Sequence, residues 1–355
     1  MAAPTLTAWP ISPRISAIMT RKLLALTALC SSAVLAHPDH DTKPGESPTH
    51  AVFTGNGQWT YEVVPGWGAL PEGKSLGPTH GTVLVEKNGT VYFCTNSEES
   101  IIVWNEEGKY LKSISPETRG FHAMDMREED GKTVIYGAQN SKEHNRVAKI
   151  DTDGKLLLTI PNDKTAEIEK GWKGITAVTV APDGSIFAAM GYGSNLIHKF
   201  DAEGKHLLTF GGRGKEDGKF ATCHGLTIDT RFEEPRLLVA DRENRRLVHM
   251  DLDGKFIGTH ASHLRRPCSF SWHGEHLGVA ELAGRCVILD KNGIPVAFLG
   301  DQPDPKKRAN FKVPNSDQVP GIFTAPHGLG FAPNGDLYVQ DWNIDGRITK
   351  LKQRK

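Results

Sequence analysis

One short pattern recurs six times along the 355 residues of this chain. In its clearest copies, which begin at Cys223 and Pro326, a histidine-glycine pair opens one apolar run and an aspartate closes the next. Weaker copies begin at Thr79, Phe121, Ile175 and Pro267. A single short repeat cannot bury its apolar face alone, so successive copies must pack against each other. The repeat therefore restricts the chain to repeat architectures.

Each copy contains short apolar runs that are separated by turn residues. Apolar residues alternate over four to six positions, and pairs such as Asp183-Gly184 and Asn334-Gly335 separate the runs. This pattern predicts four antiparallel strands per copy. Repeats of roughly 40–50 residues with four strands each are typical of propeller blades, and these copies resemble NHL-type repeats. The sequence thus predicts an all-β fold, a six-bladed β-propeller of NHL-type repeats.

The two ends of the repeat region complement each other. The sixth copy ends at Leu351 after three strands, whereas the run 58–64 (QWTYEVV) precedes the first copy as an isolated strand. We expect this N-terminal strand to supply the missing fourth strand and close the ring, which removes the last open sheet edge. Closure across the termini predicts one domain over residues 51–355.

The N-terminus has the features of an export signal. After Met19 come basic residues and an apolar stretch at 23–35, followed by small residues that predict cleavage before His37. We therefore interpret residues 1–36 as a leader and signal peptide, with the signal starting at residue 19. The polar segment 37–50 is expected to be a flexible tether. These features predict an exported protein, periplasmic or extracellular.

The cysteines leave two alternatives open. Cys30 lies inside the predicted signal peptide, where a lipid anchor is the alternative to simple cleavage, although Leu29 is bulkier than that processing favours. Because exported proteins fold under oxidising conditions, the sequence also allows one disulfide without determining the pair. The cysteines that remain after cleavage are Cys94, Cys223, Cys268 and Cys286.

Charge and hydropathy restrict the class of partner. Lysine plus arginine and aspartate plus glutamate both number 42, so no net charge favours nucleic acid. After residue 40, no apolar run approaches the ~20 residues that a membrane-spanning helix needs. We expect a monomer that binds a small-molecule or peptide substrate in its axial pocket, without nucleic acid and without a membrane span.

Alignment of the copies places one residue at the start of each innermost strand. These six residues are His80, His122, Thr176, His224, Cys268 and His327. Innermost strands surround the channel, so we expect their first residues to converge on the axis. His122, His224 and His327 come from alternate blades, and three neutral imidazoles with one open position outline a catalytic zinc site. The alternative is that histidine-glycine pairs serve packing and turns without a metal.

Two further segments carry a family resemblance. The segment MGYGSNLIHKF from Met190 and the turn ADREN from Ala240 resemble the lyase domain of the peptidylglycine α-amidating enzyme, a six-bladed NHL-like propeller. The resemblance spans about residues 75–350. The resemblance implies a zinc ion as the cofactor, a tyrosine as general base and an arginine that assists it. The residues at the matching positions are the zinc ligands His122, His224 and His327, the base Tyr192 and the arginine Arg242.

The resemblance implies a metal-dependent lyase that cleaves a carbinolamide N–C bond. Positive charge near Tyr192 would favour its phenolate and move its pKa from about 10 toward neutrality. The phenolate could then remove a proton from a hydroxyl group whose oxygen the metal polarises. The alternative function is a non-enzymatic NHL-repeat propeller that binds protein, peptide or glycan.

Two positions differ from the family, and one insertion precedes the last blade. His80 is an additional histidine, which either completes a four-histidine metal site or contacts a different substrate. Calcium is not expected, because Gly328 follows His327 where the family has an aspartate tied to its calcium site. An insertion at 302–319 precedes the last blade, and long loops on a rigid scaffold often cover sites.

Overall fold

A computed structural model describes residues 44, 48, 50–114, 117–163, 165, 168 and 171–355. The predicted leader and signal peptide at 1–36 lie outside these described residues, as does the tether apart from residues 44, 48 and 50. None of the described helices is long and apolar enough to cross a membrane.

The described chain folds almost entirely into β-strands. The N-terminal strands are β1 (Phe53–Thr54) and β2 (Tyr61–Val64). Blade 1 comprises β3 (Thr79–Val85), β4 (Val91–Thr95), β5 (Ile101–Trp104) and β6 (Tyr110–Ile114). Blade 2 comprises β7 (Phe121–Glu129), β8 (Lys132–Asn140), β9 (Asn145–Asp151) and β10 (Leu156–Ile160). Blade 3 comprises β11 (Ala177–Val180), β12 (Ile186–Ala189), β13 (Leu196–Phe200) and β14 (His206–Gly211).

The second half of the chain continues the same arrangement. Blade 4 comprises β15 (Cys223–Asp229), β16 (Arg236–Asp241), β17 (Arg246–Met250) and β18 (Phe256–Ala261). Blade 5 comprises β19 (Pro267–His273), β20 (His276–Glu281), β21 (Arg285–Leu289) and β22 (Pro295–Leu299). Blade 6 contributes β23 (Pro326–Phe331), β24 (Leu337–Asp341) and β25 (Arg347–Gln353). The short 3-10 helices of the described residues are Gly57–Trp59 and Asn315–Asp317.

Blades 1–5 are antiparallel sheets with their strands in chain order. The predicted closure is confirmed, because β2 pairs with β25 in the order β1-β2-β25-β24-β23. In this register Tyr61 lies opposite Gln353 and Val63 lies opposite Leu351. The innermost strands β23 and β3 also pack against each other, which joins the last blade to the first. The all-β, six-bladed propeller predicted from the repeats is the observed fold.

A recurring turn explains the aspartate-x-x-glycine part of the repeat. In blade 4 the Asp251 Oδ1 atom accepts hydrogen bonds from the backbone N–H groups of Asp253 (3.0 Å) and Lys255 (2.8 Å). Gly254 has a φ of +81°, a conformation that glycine adopts without steric cost. The same aspartate bonds recur at Asp151, Asp201 and Asp290. This turn reverses the chain before the outermost strand of each of these blades.

Apolar side chains between neighbouring blades form the core. Phe187, Phe200 and Val239, which lie in blades 3 and 4, are fully buried within one cluster. The N-terminal strand joins a second cluster through Tyr61 and Val63, which pack with Leu351. Each fully buried large apolar side chain stabilises the fold by about 1.5–3 kcal/mol relative to exposure. The rigid ring that results holds the innermost strands in place around the axis.

Candidate functional site

The register of the ladder shifts at the axial residue in five of the six innermost strands, and in four of them the shift is a one-residue β-bulge. In blade 4, Cys223 pairs with Asp241 and Gly225 pairs with Ala240, so His224 has no ladder partner between them. Such bulges re-aim side chains beside active sites. Equivalent shifts occur at His122, Cys268 and His327. The bulge explains why the second residue of an innermost strand points to the axis.

A polar residue at the end of the second strand holds each bulged segment in place. The Asp241 Oδ1 atom accepts a hydrogen bond from the Ala221 N–H (2.7 Å), just before His224 in the chain. Its Oδ2 atom forms an ion pair with Arg246 (2.7 Å). Asp341 accepts bonds from Thr324 and Ala325 before His327, and Gln139 donates bonds to the carbonyl oxygens of Glu117 and Arg119 before His122. These buried side chains hold the starts of the innermost strands in place through hydrogen bonds to the backbone.

The three histidines from alternate blades meet at the axis. Their ring centroids are 4.8 Å apart for His122 and His224, 4.9 Å for His122 and His327, and 4.8 Å for His224 and His327. The triangle is therefore nearly equilateral. All three side chains are buried, with exposed fractions of 4%, 2% and 1% in chain order. The structure thus brings together the three histidines that the repeat alignment singled out.

Each of these histidines is oriented by a neighbouring innermost segment. In each ring the Nδ1 atom donates a hydrogen bond to a backbone carbonyl oxygen of the next blade. The acceptor for His122 is Thr176 at 2.6 Å. The acceptor for His224 is Cys268 at 3.0 Å, and that for His327 is Gly81 at 3.1 Å. A carbonyl oxygen only accepts hydrogen bonds, so Nδ1 carries the proton and Nε2 keeps its lone pair in the neutral ring. Metal-binding histidines in proteins are oriented in this way.

The glycines that follow two of the histidines make these bonds possible. A Cβ atom at Gly225 would clash with the Cys268 carbonyl oxygen, which accepts the bond from His224. A Cβ atom at Gly328 would clash in the same way with the Gly81 carbonyl oxygen, the acceptor for His327. The glycine of the histidine-glycine pair therefore lets the backbones of two neighbouring blades come close together, in addition to its role in the bulge.

Tyr192 reaches the axis from the turn between β12 and β13. Its hydroxyl lies 3.0 Å from the Nε2 atom of His122 and 3.0 Å from the Nε2 atom of His224. Thr176, the small axial residue of the same blade, bonds to backbone carbonyl oxygens, including that of Cys223. The predicted base thus lies beside two of the predicted ligands.

Backbone packing explains the residues on either side of Tyr192. A Cβ atom at Gly191 would clash with the Cys223 carbonyl oxygen, and one at Gly193 would clash with the Lys173 carbonyl oxygen. Asn195 adopts a φ of +61°, and its Oδ1 atom accepts a hydrogen bond from the Thr222 N–H (2.5 Å). The Gly-Tyr-Gly-Ser-Asn motif is therefore a tight turn that presents the tyrosine to the axis.

At the axis, hydrogen-bond acceptors outnumber hydrogen-bond donors. Three Nε2 lone pairs face the centre, and the Tyr192 hydroxyl has one proton, which serves His122 or His224 but not both. The Nε2 atom of His327 is buried and has no hydrogen-bond partner among the residues that the structure describes. A buried acceptor without a partner carries a free-energy cost. The unsatisfied lone pairs therefore suit a cation near His327, although His122 and His224 belong to different sets of close ligand atoms among the described residues.

Electrostatics keep these imidazoles neutral. Burial lowers the pKa of His122 to about 4, and Arg242 contributes to the same shift. Burial also lowers the pKa of His224 and of His327 well below the usual range, with Arg242 acting in the same direction on both. Neutral imidazole is the form that binds metal ions. The site is therefore ready for a cation at neutral pH.

Arg242 lies beside the tyrosine on the rim. Its Nη1 atom lies 3.4 Å from the Tyr192 hydroxyl, and the guanidinium carbon lies 5.4 Å from the tyrosine ring centroid. Glu243 pairs with Arg242 (2.9 Å) and also with Arg266 (2.6 Å). Burial raises the pKa of Tyr192, while Arg242 opposes that rise. The expected shift of this pKa toward neutrality is thus not achieved by the protein groups alone.

His80 and Cys268 extend the cluster on either side of His327. The His80 ring lies 4.2 Å from His327 and 4.6 Å from His122, and burial lowers its pKa well below the usual range. Two sets of potential ligand atoms lie within 4.8 Å of one another. One set contains His80, His122 and His327, and the other contains His224, Cys268 and His327. His327 belongs to both sets.

An axial cavity of about 310 Å³ runs along the innermost strands from the histidines. Its lining includes Thr82, Met124, Leu226, Ser269, Phe270 and Trp272. On the rim, the predicted covering insertion contributes Phe311, which stacks on Trp342 at 4.2 Å between centroids. Trp342 in turn lies 5.2 Å from the His80 ring. The insertion thus contacts the residues around the site.

Two residues at the site, Cys268 and Trp342, were not predicted from the sequence as site residues. Cys268 was in the axial alignment, but its grouping with two histidines depends on the bulge at its position. Trp342 follows Asp341 in blade 6, just as Arg242 follows Asp241 in blade 4. This equivalent position in the repeat could have identified Trp342 as a residue near the site. The disulfide that the sequence allows does not form in the described part of the chain, where the four cysteines are free thiols.

Comparisons with known proteins identify the fold but no family. No protein-family model matches the chain. A streptogramin B lyase structure is 15% identical, with 80% of this chain and 96% of that chain covered at a TM-score of 0.54. A virginiamycin B lyase from Staphylococcus aureus is 15% identical, with 79% of this chain and 96% of that chain covered at a TM-score of 0.51. The chain therefore shares the propeller fold of these lyases.

Proposed function

We propose that the protein is an exported, zinc-dependent propeller enzyme of the amidating-lyase type. His122, His224 and His327 hold the ion through their Nε2 atoms, and His80 lies next to this set. The observation that carries the proposal is the excess of lone pairs at the axis, above all the buried Nε2 atom of His327, which has no partner among the described residues. Bound zinc supplies positive charge that polarises a substrate oxygen.

Tyr192 transfers the proton, and Arg242 assists it. The Tyr192 oxygen, as phenolate, removes the hydroxyl proton of a carbinolamide, and Arg242 stabilises the phenolate from 3.4 Å away. As the C–O bond becomes a carbonyl group, the C–N bond breaks and its electron pair goes to nitrogen. Tyr192 returns the proton to that nitrogen. The products are an aldehyde and a primary amide.

The substrate, a small molecule or peptide, approaches from the rim that carries Tyr192 and Arg242. Tyr192 is 42% exposed, although its hydroxyl contacts buried histidines. We propose that the protein acts as a monomer in the periplasm or outside the cell.

Metal analysis tests the proposal. The wild-type chain purified with zinc and then dialysed should retain about one zinc ion per chain, the stoichiometry of a single site. The substitution His224→Ala should abolish retention without loss of the β-sheet circular dichroism signal. His198→Ala is the matched control, because His198 is fully buried in β13 but lies outside the axial cluster.

Two outcomes contradict the proposal. One is a folded wild-type protein that retains no zinc, which would favour a binding propeller instead. The other is a folded His224→Ala protein that retains zinc as the wild type does.

A further inference from the structure

Cys268 occupies the axial position between His224 and His327. Its side chain is 1% exposed, and its sulfur lies within 4.8 Å of the candidate ligand atoms of both histidines. The β-bulge at Cys268 removes it from the ladder in the same way as its histidine neighbours. Its backbone carbonyl oxygen also accepts the Nδ1–H bond of His224, so its position is coupled to that ring.

The contacts of Cys268 differ from those of a structural filler. Thr176, the other small axial residue, uses its hydroxyl to bond the Cys223 carbonyl oxygen at 2.7 Å. The Cys268 sulfur instead makes a long contact of 3.7 Å to the Arg266 carbonyl oxygen and a contact with the Arg242 side chain, while burial raises the pKa of its thiol to about 11. A thiol is a weak donor, so the contact with Arg266 leaves the sulfur available to a stronger partner.

A second observation points to a ligand at the same place. His327 is 1% exposed, and its Nε2 atom has no hydrogen-bond partner within the described ranges. This atom belongs to the same set of potential ligands as the Cys268 sulfur. A cation between them would satisfy both atoms.

We propose that Cys268 is a sulfur ligand of the axial ion, together with the histidines. This inference rests on the proposed function, because it concerns the same ion. On binding, the thiol releases its proton to solvent and the thiolate bonds to the cation. A sulfur donor selects thiophilic cations such as zinc or cobalt over magnesium, calcium or manganese. Zinc can expand to five-coordination during catalysis, so a fourth protein ligand is compatible with binding of a substrate oxygen.

Cobalt spectroscopy tests the sulfur ligand. Zinc-stripped protein titrated with Co²⁺ should develop visible bands from the bound ion and a near-ultraviolet charge-transfer band from thiolate to cobalt. Cys268→Ser should keep the visible bands and lose the charge-transfer band. Cys286→Ser is the matched control, because Cys286 is equally buried in β21 of the same blade but outside the ligand sets found in the described chain.

X-ray absorption of the unmodified zinc protein provides a second readout that needs no variant. The expected first shell contains one sulfur at about 2.3 Å besides nitrogens at about 2.0–2.1 Å. A nitrogen-only shell, or bound cobalt without the charge-transfer band, overturns the role of Cys268 and leaves the histidine site intact. A protein that binds neither ion overturns this inference and the proposed function together.

Discussion

The Nδ1 atom of His224 donates a hydrogen bond to the carbonyl oxygen of Cys268, 3.0 Å away in the next blade. Through this bond blade 5 supports a histidine of blade 4, and the same relationship recurs from His122 to Thr176 and from His327 to Gly81. The orientation of the axial imidazoles is therefore a property of the closed ring. Four predictions follow from this geometry.

Gly225→Ala should weaken metal binding. The added Cβ atom would clash with the Cys268 carbonyl oxygen, so the Nδ1 bond of His224 must lengthen or break. Loss of such an orienting partner typically costs about 10–100-fold in metal affinity. Competition with a chelator of known affinity measures the effect.

The control for Gly225→Ala is Gly258→Ala. Gly258 lies in β18 of the same blade, and a Cβ atom there meets nothing within 4 Å. Equal metal affinity in the two variants would show that the close approach at Gly225 does not orient the ligand.

Tyr192→Phe should abolish lyase activity while zinc remains bound. The substitution removes the hydroxyl that lies 3.0 Å from both His122 and His224 but leaves the imidazoles in place. Loss of a general base typically lowers kcat about 10²–10⁴-fold. Steady-state kinetics with a peptidyl carbinolamide, together with zinc analysis, measures both properties. Tyr110→Phe on β6 is the control, and unchanged kcat in Tyr192→Phe would exclude the proposed base.

The metal-free protein should lose stability as the pH falls from about 6.5 toward 4. Burial lowers the pKa of His122 to about 4 in the folded state, whereas an unfolded histidine titrates near 6.5. Between these values the unfolded chain binds more protons, so the free energy of unfolding decreases with decreasing pH. Urea unfolding at several pH values measures the slope. His122→Gln should reduce the slope by the contribution of one histidine, because His224 and His327 still titrate in the same direction, and an unchanged slope would contradict the assigned protonation state of His122.

Asp241→Ala should destabilise the rim of blade 4. The substitution leaves Arg246 without its buried partner and frees the Ala221 N–H. Breaking a buried ion pair costs about 3–5 kcal/mol, and the shift of the adjacent strand start should also weaken zinc binding at His224. Chemical denaturation measures the loss. Asp153→Ala is the control, because its pair with Lys112 is exposed at both ends and such pairs contribute about 0–1 kcal/mol.

The sequence predicted the fold because the relevant information is local. Alternating apolar runs and turns such as that at Asp251 specify strands within one blade, and the run from Gln58 to Val64 supplied the one missing strand. Repetition then placed His122, His224 and His327 at equivalent positions without any knowledge of their contacts.

Contacts between blades were decided by the tertiary structure alone. The bond from His224 to Cys268 and the position of the Tyr192 hydroxyl join segments of different blades. The bulge at Cys268 lies within blade 5 and turns this residue toward those contacts. The alternation of apolar and polar residues predicts which face of a strand is buried, but it does not predict where a β-bulge interrupts the hydrogen-bonded ladder. The sequence by itself therefore determined which residues approach the axis, whereas the packing of the closed ring decided how their donor atoms meet, because that depends on approach distances between distant strands.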